Sequence, residues 1–368
     1  MKNKILFPMF IESSKGGMQQ IVLDLMTGLT TKGWECILVG YRDSELIEYF
    51  SKNGVHCISI DIPRTKIGHL SFIYQLYKIV KKEKANLLVV NDIFTHILLA
   101  LYPFRKKELF VSHGGNYKSK GKEFAANSGN AARIAKHTFK RVTHFVAVSE
   151  TQKNALVVNA GVDPVKVHTI VNGVKRPQTF EKGGGVTDVL NISIIGYIKK
   201  LKNQAVLLRA IKQLRDKGIR CRLNLFGSVA DNTYYEEIKR EMNELDLNDN
   251  VVFWGYVTDK KLIFDNSDIV VSCSYHEGFG LSLVEAMAYG KPTIAYAKSE
   301  GPSSIIENNK TGILVEENTS EYYTEAILRY YNNRDFTSRI IENANEVFDE
   351  KFSLESMVDS YEQIILAI

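Results

Sequence analysis

Two glutamates, Glu277 and Glu285, stand eight positions apart in the segment 270–297, VVSCSYHEGFGLSLVEAMAYGKPTIAYA. Two carboxylates this near in sequence could form an acid/base couple, or could grip the hydroxyls of a ligand. The elements around them favour the grip. Ile269 to Cys273 is a short β-branched run, which predicts a buried strand, and Gly278 and Gly280 then break it. Leu281 to Tyr289 carries apolar residues at helical spacing, and Gly290 followed by Pro292 closes the helix. The order strand, glycine loop, helix presents backbone N–H groups at a helix N-terminus, where an anion can be held. Glu277 lies in the loop and Glu285 about a turn inside the helix. Two carboxylates would repel a bare phosphate, so they suit a ligand with hydroxyls as well as phosphate, such as a sugar nucleotide. The bland alternative is a buried helix with a surface acid at each end.

Other loops offer matching groups. After the first strand, Gly16 and Gly17 precede the apolar helical pattern Ile21, Leu23, Leu25, Met26 and Leu29. Paired glycines there allow close backbone approach to an anion, although a plain tight turn has the same signature. The G-x-G-x-x-G fingerprint is absent, which disfavours a nicotinamide enzyme. His113 and Gly114 follow a buried strand, at the carboxyl end where open α/β sheets bind ligands. A lone histidine is otherwise more often structural. Asn91 and Asp92 end the preceding strand and are candidates for the acceptor side. The loop Gly196-Tyr197-Ile198-Lys199-Lys200-Leu201-Lys202-Asn203-Gln204 supplies cations, and Gly227-Ser228 ends the next strand.

At 368 residues the chain is long for one core and suits two domains. Its four cysteines, Cys36, Cys57, Cys221 and Cys273, are far apart and form no C-x-x-C pair, so neither zinc nor a disulfide framework is indicated, and a reducing cytoplasm fits. The N-terminal MKNKILFPMF reads as a first strand and not a signal peptide. The run from Asn86 to Phe104 is too interrupted, by Asn91, Asp92 and His96, for a membrane span.

Charge is uneven. Residues 1–180 hold 26 Lys/Arg against 13 Asp/Glu, or +13; the remainder holds 21 against 29, or −8, summing to the +5 of the whole. The basic residues gather at Arg105-Lys106-Lys107, at Lys118, Lys120 and Lys122, and at Arg133, Lys136, Lys140 and Arg141, interleaved with Phe104, Phe110, Phe124 and Phe139. Such a surface suits an anionic membrane face or a phosphate-bearing acceptor, or is a set of solvated helix faces. Nucleic acid is disfavoured, because no recognition motif accompanies the charge.

Strand-like runs alternate with helical patterns throughout, which predicts parallel sheets covered by helices. The first series is near Lys4–Phe10, Glu35–Gly40, His56–Ile60, Leu87–Asn91, Leu109–Ser112, His144–Val148 and Val167–Ile170. The second restarts at Asn191–Gly196, followed by Arg222–Phe226, Val251–Trp254, Ile269–Cys273 and Thr293–Tyr296. Between them KRPQTFEKGGGVTD, residues 175–188, is polar and glycine-rich, a flexible connection. We therefore expect domains at 1–178 and 179–350, with 351–368 an amphipathic last helix.

The stretch EGFGLSLVEAMAYGKP resembles the E-x7-E signature of retaining glycosyltransferases with the GT-B fold, most closely glycosyltransferase family 4; Ser274, Ala286, Met287, Gly290 and Pro292 also match. The resemblance runs from the Gly16-Gly17 loop to about residue 320, strongly in the second half and thinly in the first. It implies an α/β GT-B chain of two Rossmann-like domains whose parallel sheets face across a cleft, with the last helix returning to the first domain. It implies a retaining, metal-independent hexosyltransferase without cofactor, moving a hexose or N-acetylhexosamine from a UDP-sugar to a glycan or lipid-linked acceptor in surface polysaccharide biosynthesis. Such an enzyme is expected in the cytoplasm, at the inner membrane face. The catalytic residues implied are Glu277 and His113 at the sugar and Lys202 at the diphosphate. The donor side would comprise Gly16, Gly17, Gly196, Tyr197, Lys202, Asn203, Gly227, Glu277, Gly278, Phe279, Gly280, Leu281 and, at the ribose, Glu285; the acceptor side would comprise Asn91, Asp92 and Gly114.

Departures also occur. Tyr197 stands where the family's G-R-L-x-x-x-K-N loop has its arginine, so the positive charge facing the leaving group is reduced. Lys199 or Lys200 could substitute. The alternative is a non-catalytic sugar-nucleotide-binding partner subunit.

Overall fold

A computed structural model describes residues 4–13, 16–61, 68–100, 107–113, 138–177 and 188–368. The chain forms two units, one of Met1–Gly173 with Leu354–Ile368 and one of Val174–Ser353. Of the sequence candidates, Gly114 and the basic residues between 114 and 137 lie outside the described residues, as do Phe104, Arg105 and Lys106.

In the first unit β1 (Lys4–Pro8), β2 (Glu35–Tyr41), β3 (His56–Ile60), β4 (Leu87–Val90), β5 (Lys107–Ser112), β6 (His144–Ala147) and β7 (Val167–Thr169) form a parallel sheet in the order β3-β2-β1-β4-β5-β6-β7. Continuous apolar runs make these strands because both faces are covered: Ile5, Leu6, Phe7, Ile37, Leu38 and Val39 are fully buried. Each such side chain contributes about 1.5–3 kcal/mol by leaving water. The strand order reverses between β1 and β4, which opens a crevice at their carboxyl ends. The Gly17–Thr31 helix starts there, with Ile21, Leu25, Met26 and Leu29 turned into the core. The last helix, Leu354–Ala367, belongs to this unit. It packs on Gly17–Thr31 where Gly28 leaves room for Val358, whose Cγ2 would stand 2.4 Å from a Cβ at position 28. Lys32 pairs with Asp359 and Glu362, both at 2.7 Å, and the Trp34 indole donates to Glu362 at 3.0 Å.

In the second unit β8 (Leu190–Ile195), β9 (Cys221–Phe226), β10 (Val251–Gly255), β11 (Ile269–Ser272), β12 (Thr293–Tyr296) and β13 (Ile313–Val315) are again parallel, in the order β10-β9-β8-β11-β12-β13. The reversal falls between β8 and β11. Ile192, Leu223, Leu225, Val271 and Ile294 from the sheet pack with Leu207, Leu208, Ile211 and Ile327 from the helices. The edge strand β13 is absent from the sequence reading, although the equally short β7 is in it. The units divide between Gly173 and Val174, ahead of residue 178: Val174 already donates to Phe352 O at 2.9 Å, and Arg176 pairs with Asp349 at 2.8 Å. Among the described residues, no helix is long and apolar enough to cross a membrane.

Candidate functional site

The reversal between β8 and β11 brings together the two loops that the sequence singles out. From β8 the chain leaves through Gly196, at φ 153°, and turns through Lys200–Lys202 to Asn203, which is left-handed at φ 51°. From β11 it leaves through Cys273 and Ser274 to Glu277. The loops are tied by backbone: Tyr275 N–H donates to Leu201 O at 3.0 Å. The Cys273 thiol lies 3.2 Å from the carbonyls of Lys202 and Asn203, and burial pushes its pKa up to about 12, so it is a neutral donor that pins the lysine loop. The result is an ion pair between Lys202 Nζ and Glu277 Oε2, with side chains only 17% and 23% exposed. Ser274 Oγ adds a hydrogen bond to the same oxygen at 3.3 Å.

Beside this pair the Leu281–Ala288 helix begins at Gly280, which is left-handed at φ 104° and gives no side-chain cap. Phe279 is buried, with its ring edge-on to Phe352, so only its peptide group can meet a ligand. The loop Gly278–Leu281 is held from behind by Gly301, whose N–H donates to Glu277 O at 2.9 Å. A Cβ on Gly301 would come within 2.3 Å of Phe279 O. Gly196 and Gly227 line the neighbouring strand ends; a Cβ on Gly227 would stand 2.1 Å from Gly196 O. Tyr197 is 39% exposed, and its carbonyl accepts from the Gln204 side chain at 2.9 Å. Glu285, only 5% exposed, faces a second cation: its Oε1 lies 2.7 Å from Lys260 Nζ.

The first unit has its own polar end at the β1/β4 reversal. Gly16, at φ 149°, leads into the Gly17–Thr31 helix with no side-chain cap. His113 Nε2 and Asn91 Oδ1 are 3.0 Å apart, an arrangement that puts the proton on Nε2 and leaves Nδ1 an acceptor. Desolvation of the partly buried ring pushes its pKa down to about 4, so it is neutral at pH 7. Asn91 is buried and its Nδ2 has no partner among the described residues. Asp92 is used differently: its carboxylate accepts from Thr95 N–H at 2.8 Å and Thr95 Oγ1 at 2.7 Å, capping the Ile93–Ala100 helix. Among the described residues no group of three or more His, Cys, Asp or Glu side chains could hold a metal ion.

Sequence reasoning missed Lys260 and the bracing role of Gly301. A lysine on an exposed helix start is common, and its partner lies 25 positions away. Gly301 could have been suspected as a glycine in the first turn of the Glu300–Ile305 helix.

Sequence profiles decide the family. The profile described as Glycosyl transferases group 1 matches residues 176–347, and that of Glycosyltransferase Family 4 matches residues 15–176. The chain is a group 1, family 4 glycosyltransferase. One relative of this glycosyltransferase is the poly(ribitol-phosphate) alpha-N-acetylglucosaminyltransferase of Staphylococcus aureus, 26% identical over 301 residues; the match covers 78% of this chain and 57% of that protein. Another is the UDP-Gal:alpha-D-GlcNAc-diphosphoundecaprenol alpha-1,3-galactosyltransferase of Escherichia coli, 23% identical over 309 residues, covering 79% of this chain and 76% of the other. Among solved structures, Anabaena HepE in complex with UDP and glucose superposes with a TM-score of 0.84 at 19% identity over 100% of both chains, which shows the GT-B fold of this glycosyltransferase.

Proposed function

We propose that this glycosyltransferase is a retaining, metal-independent enzyme that moves a hexose or N-acetylhexosamine from a UDP-sugar to a glycan or lipid-linked acceptor in surface polysaccharide or glycoconjugate biosynthesis. The Lys202–Glu277 pair beside an uncapped helix N-terminus carries this reading. A diphosphate is complementary to Lys202 and to the peptide groups from Gly278 to Leu281, and a sugar hydroxyl is complementary to Glu277. On donor binding Lys202 turns to the phosphate and Glu277 to the sugar, while Glu285 takes the ribose. Lys202 then stabilises the charge that develops on the leaving phosphate. That phosphate accepts the proton of the attacking hydroxyl on the same face of the sugar. Each glutamate is bound to its own lysine, which suits two grips on ligand hydroxyls and not the acid/base couple of a glycosidase. In the first unit, neutral His113 and Asn91 are the groups assigned to substrate hydroxyls.

The relatives support the class of substrate. By name, the S. aureus protein transfers GlcNAc to poly(ribitol phosphate), and the E. coli protein transfers galactose from UDP-Gal to GlcNAc-diphosphoundecaprenol. The test is a mass-spectrometric screen of UDP-sugars against lipid-linked and polyol-phosphate acceptors, in the presence of EDTA. Transfer with an α-configured product, abolished by Glu277→Ala, is expected. Exposed Tyr197, at the expected arginine position, favours a second reading as a non-catalytic binding subunit. Tight UDP binding with no transfer to any acceptor would establish that one.

A further inference from the structure

Lys260 is the first residue of the short Lys260–Asp265 helix, which follows the loop leaving β10 at Gly255. The helix does not need a lysine there. Asp259 caps it by accepting from the amides of Lys261 and Leu262, and Ile263 and Phe264 bury its inner face. The Lys260 side chain, 40% exposed, nevertheless reaches to the buried Glu285 on another helix and pairs with Oε1 at 2.7 Å. Glu285 Oε2 has no protein partner among the described residues. Burying a carboxylate is costly unless a partner compensates it, and an ammonium engaged on one oxygen limits where the other can turn.

We infer that Lys260 is the positioning residue of the nucleoside end of the site: it holds Glu285 by Oε1 and so presents Oε2 to the vicinal diol of a ribose. This rests on the donor-site reading above. It also ties the loop after β10 to the helix that carries Glu285, so that reading of the diol depends on both elements. The pairing makes a specific demand on the ligand, because an oriented carboxylate rewards two adjacent hydroxyls and gains little from a sugar without them.

Calorimetric titration of wild type, Lys260→Met and Lys260→Arg with UDP and with 2′,3′-dideoxy-UDP tests the inference. A hydrogen bond to a charged group corresponds to a preference of about tenfold or more, so wild type should favour UDP by at least that factor. Lys260→Met should reduce the preference to about threefold or less, chiefly by losing UDP affinity, and Lys260→Arg should restore it, since guanidinium also pairs with carboxylate. A merely structural role would weaken both nucleotides alike and leave the ratio unchanged, and that result overturns the assignment. Wild type that binds UDP without discrimination also overturns it while sparing the donor-site reading. Wild type that binds neither UDP, GDP nor ADP removes both.

Discussion

The Lys202–Glu277 pair makes opposite demands on stability and on activity, and a double-mutant cycle separates them. Both side chains are mostly buried, at 17% and 23% exposure. At an effective dielectric near 20, unit charges about 4 Å apart attract by about 4 kcal/mol. Desolvation and residual solvent screening offset part of this, so removing one partner should cost about 2 kcal/mol. In a unit the size of Val174–Ser353, where about 1 kcal/mol moves the midpoint by about 2–4 °C, Lys202→Met and Glu277→Gln should each lower Tm by about 4–8 °C. The double variant leaves neither charge unpaired and should recover about half of the summed loss. Activity should show no such recovery. Losing the cation at the leaving group should cut turnover by about 10²–10³, and the second substitution cannot return it. Differential scanning calorimetry without nucleotide and mass-spectrometric turnover give the two readouts. Strictly additive Tm losses would refute the coupling, and Lys202→Met with more than a tenth of wild-type turnover would refute the phosphate role.

Two further outcomes follow from local geometry. Gly227→Ala should cost about 3 kcal/mol or more, because position 227 combines φ 150° with a Cβ 2.1 Å from Gly196 O; Gly218→Ala, at φ 81° with nothing within 4 Å, should cost only about 1 kcal/mol in a thermal melt, and equal losses would contradict the steric reading. Neutral His113, pushed to about 4 against 6.5 in the unfolded chain, contributes stability that is complete above pH 6.5 and is lost as pH falls toward 4. His113→Gln should therefore close on wild type by about 2 kcal/mol between pH 7 and pH 5 in urea unfolding, with a residual slope because desolvation also lowers His144 and His168; parallel curves would rule this out.

Twelve strands were legible because most are short apolar runs set off by turn residues, which is how a covered parallel sheet reads. β13 was not: Ile313–Val315 gains its identity from pairing with β12. The glycine loops were legible for a local reason, their backbone angles, whereas the pairs that give the loops chemistry join residues 75 and 25 positions apart. No periodicity encodes such distances. Asp92 shows the converse: a residue that reads as a ligand group at a strand end is engaged with Thr95, three positions on.

Three adjacent strands of the second unit end on glycines with positive φ: Gly196 at 153°, Gly227 at 150° and Gly255 at 67°. Their peptide groups are stitched sideways, with Gly196 N–H on Phe226 O at 2.8 Å and Gly227 N–H on Gly255 O at 2.7 Å. If the donor lies here, as proposed, the surface beneath its nucleotide is main chain, which has no side chains to vary. On that proposal, divergence in the accepted donor falls to the side chains that follow these glycines, such as Tyr197 and Tyr256, 39% and 46% exposed. A library aimed at a new donor should keep the glycine row fixed and randomise those side chains.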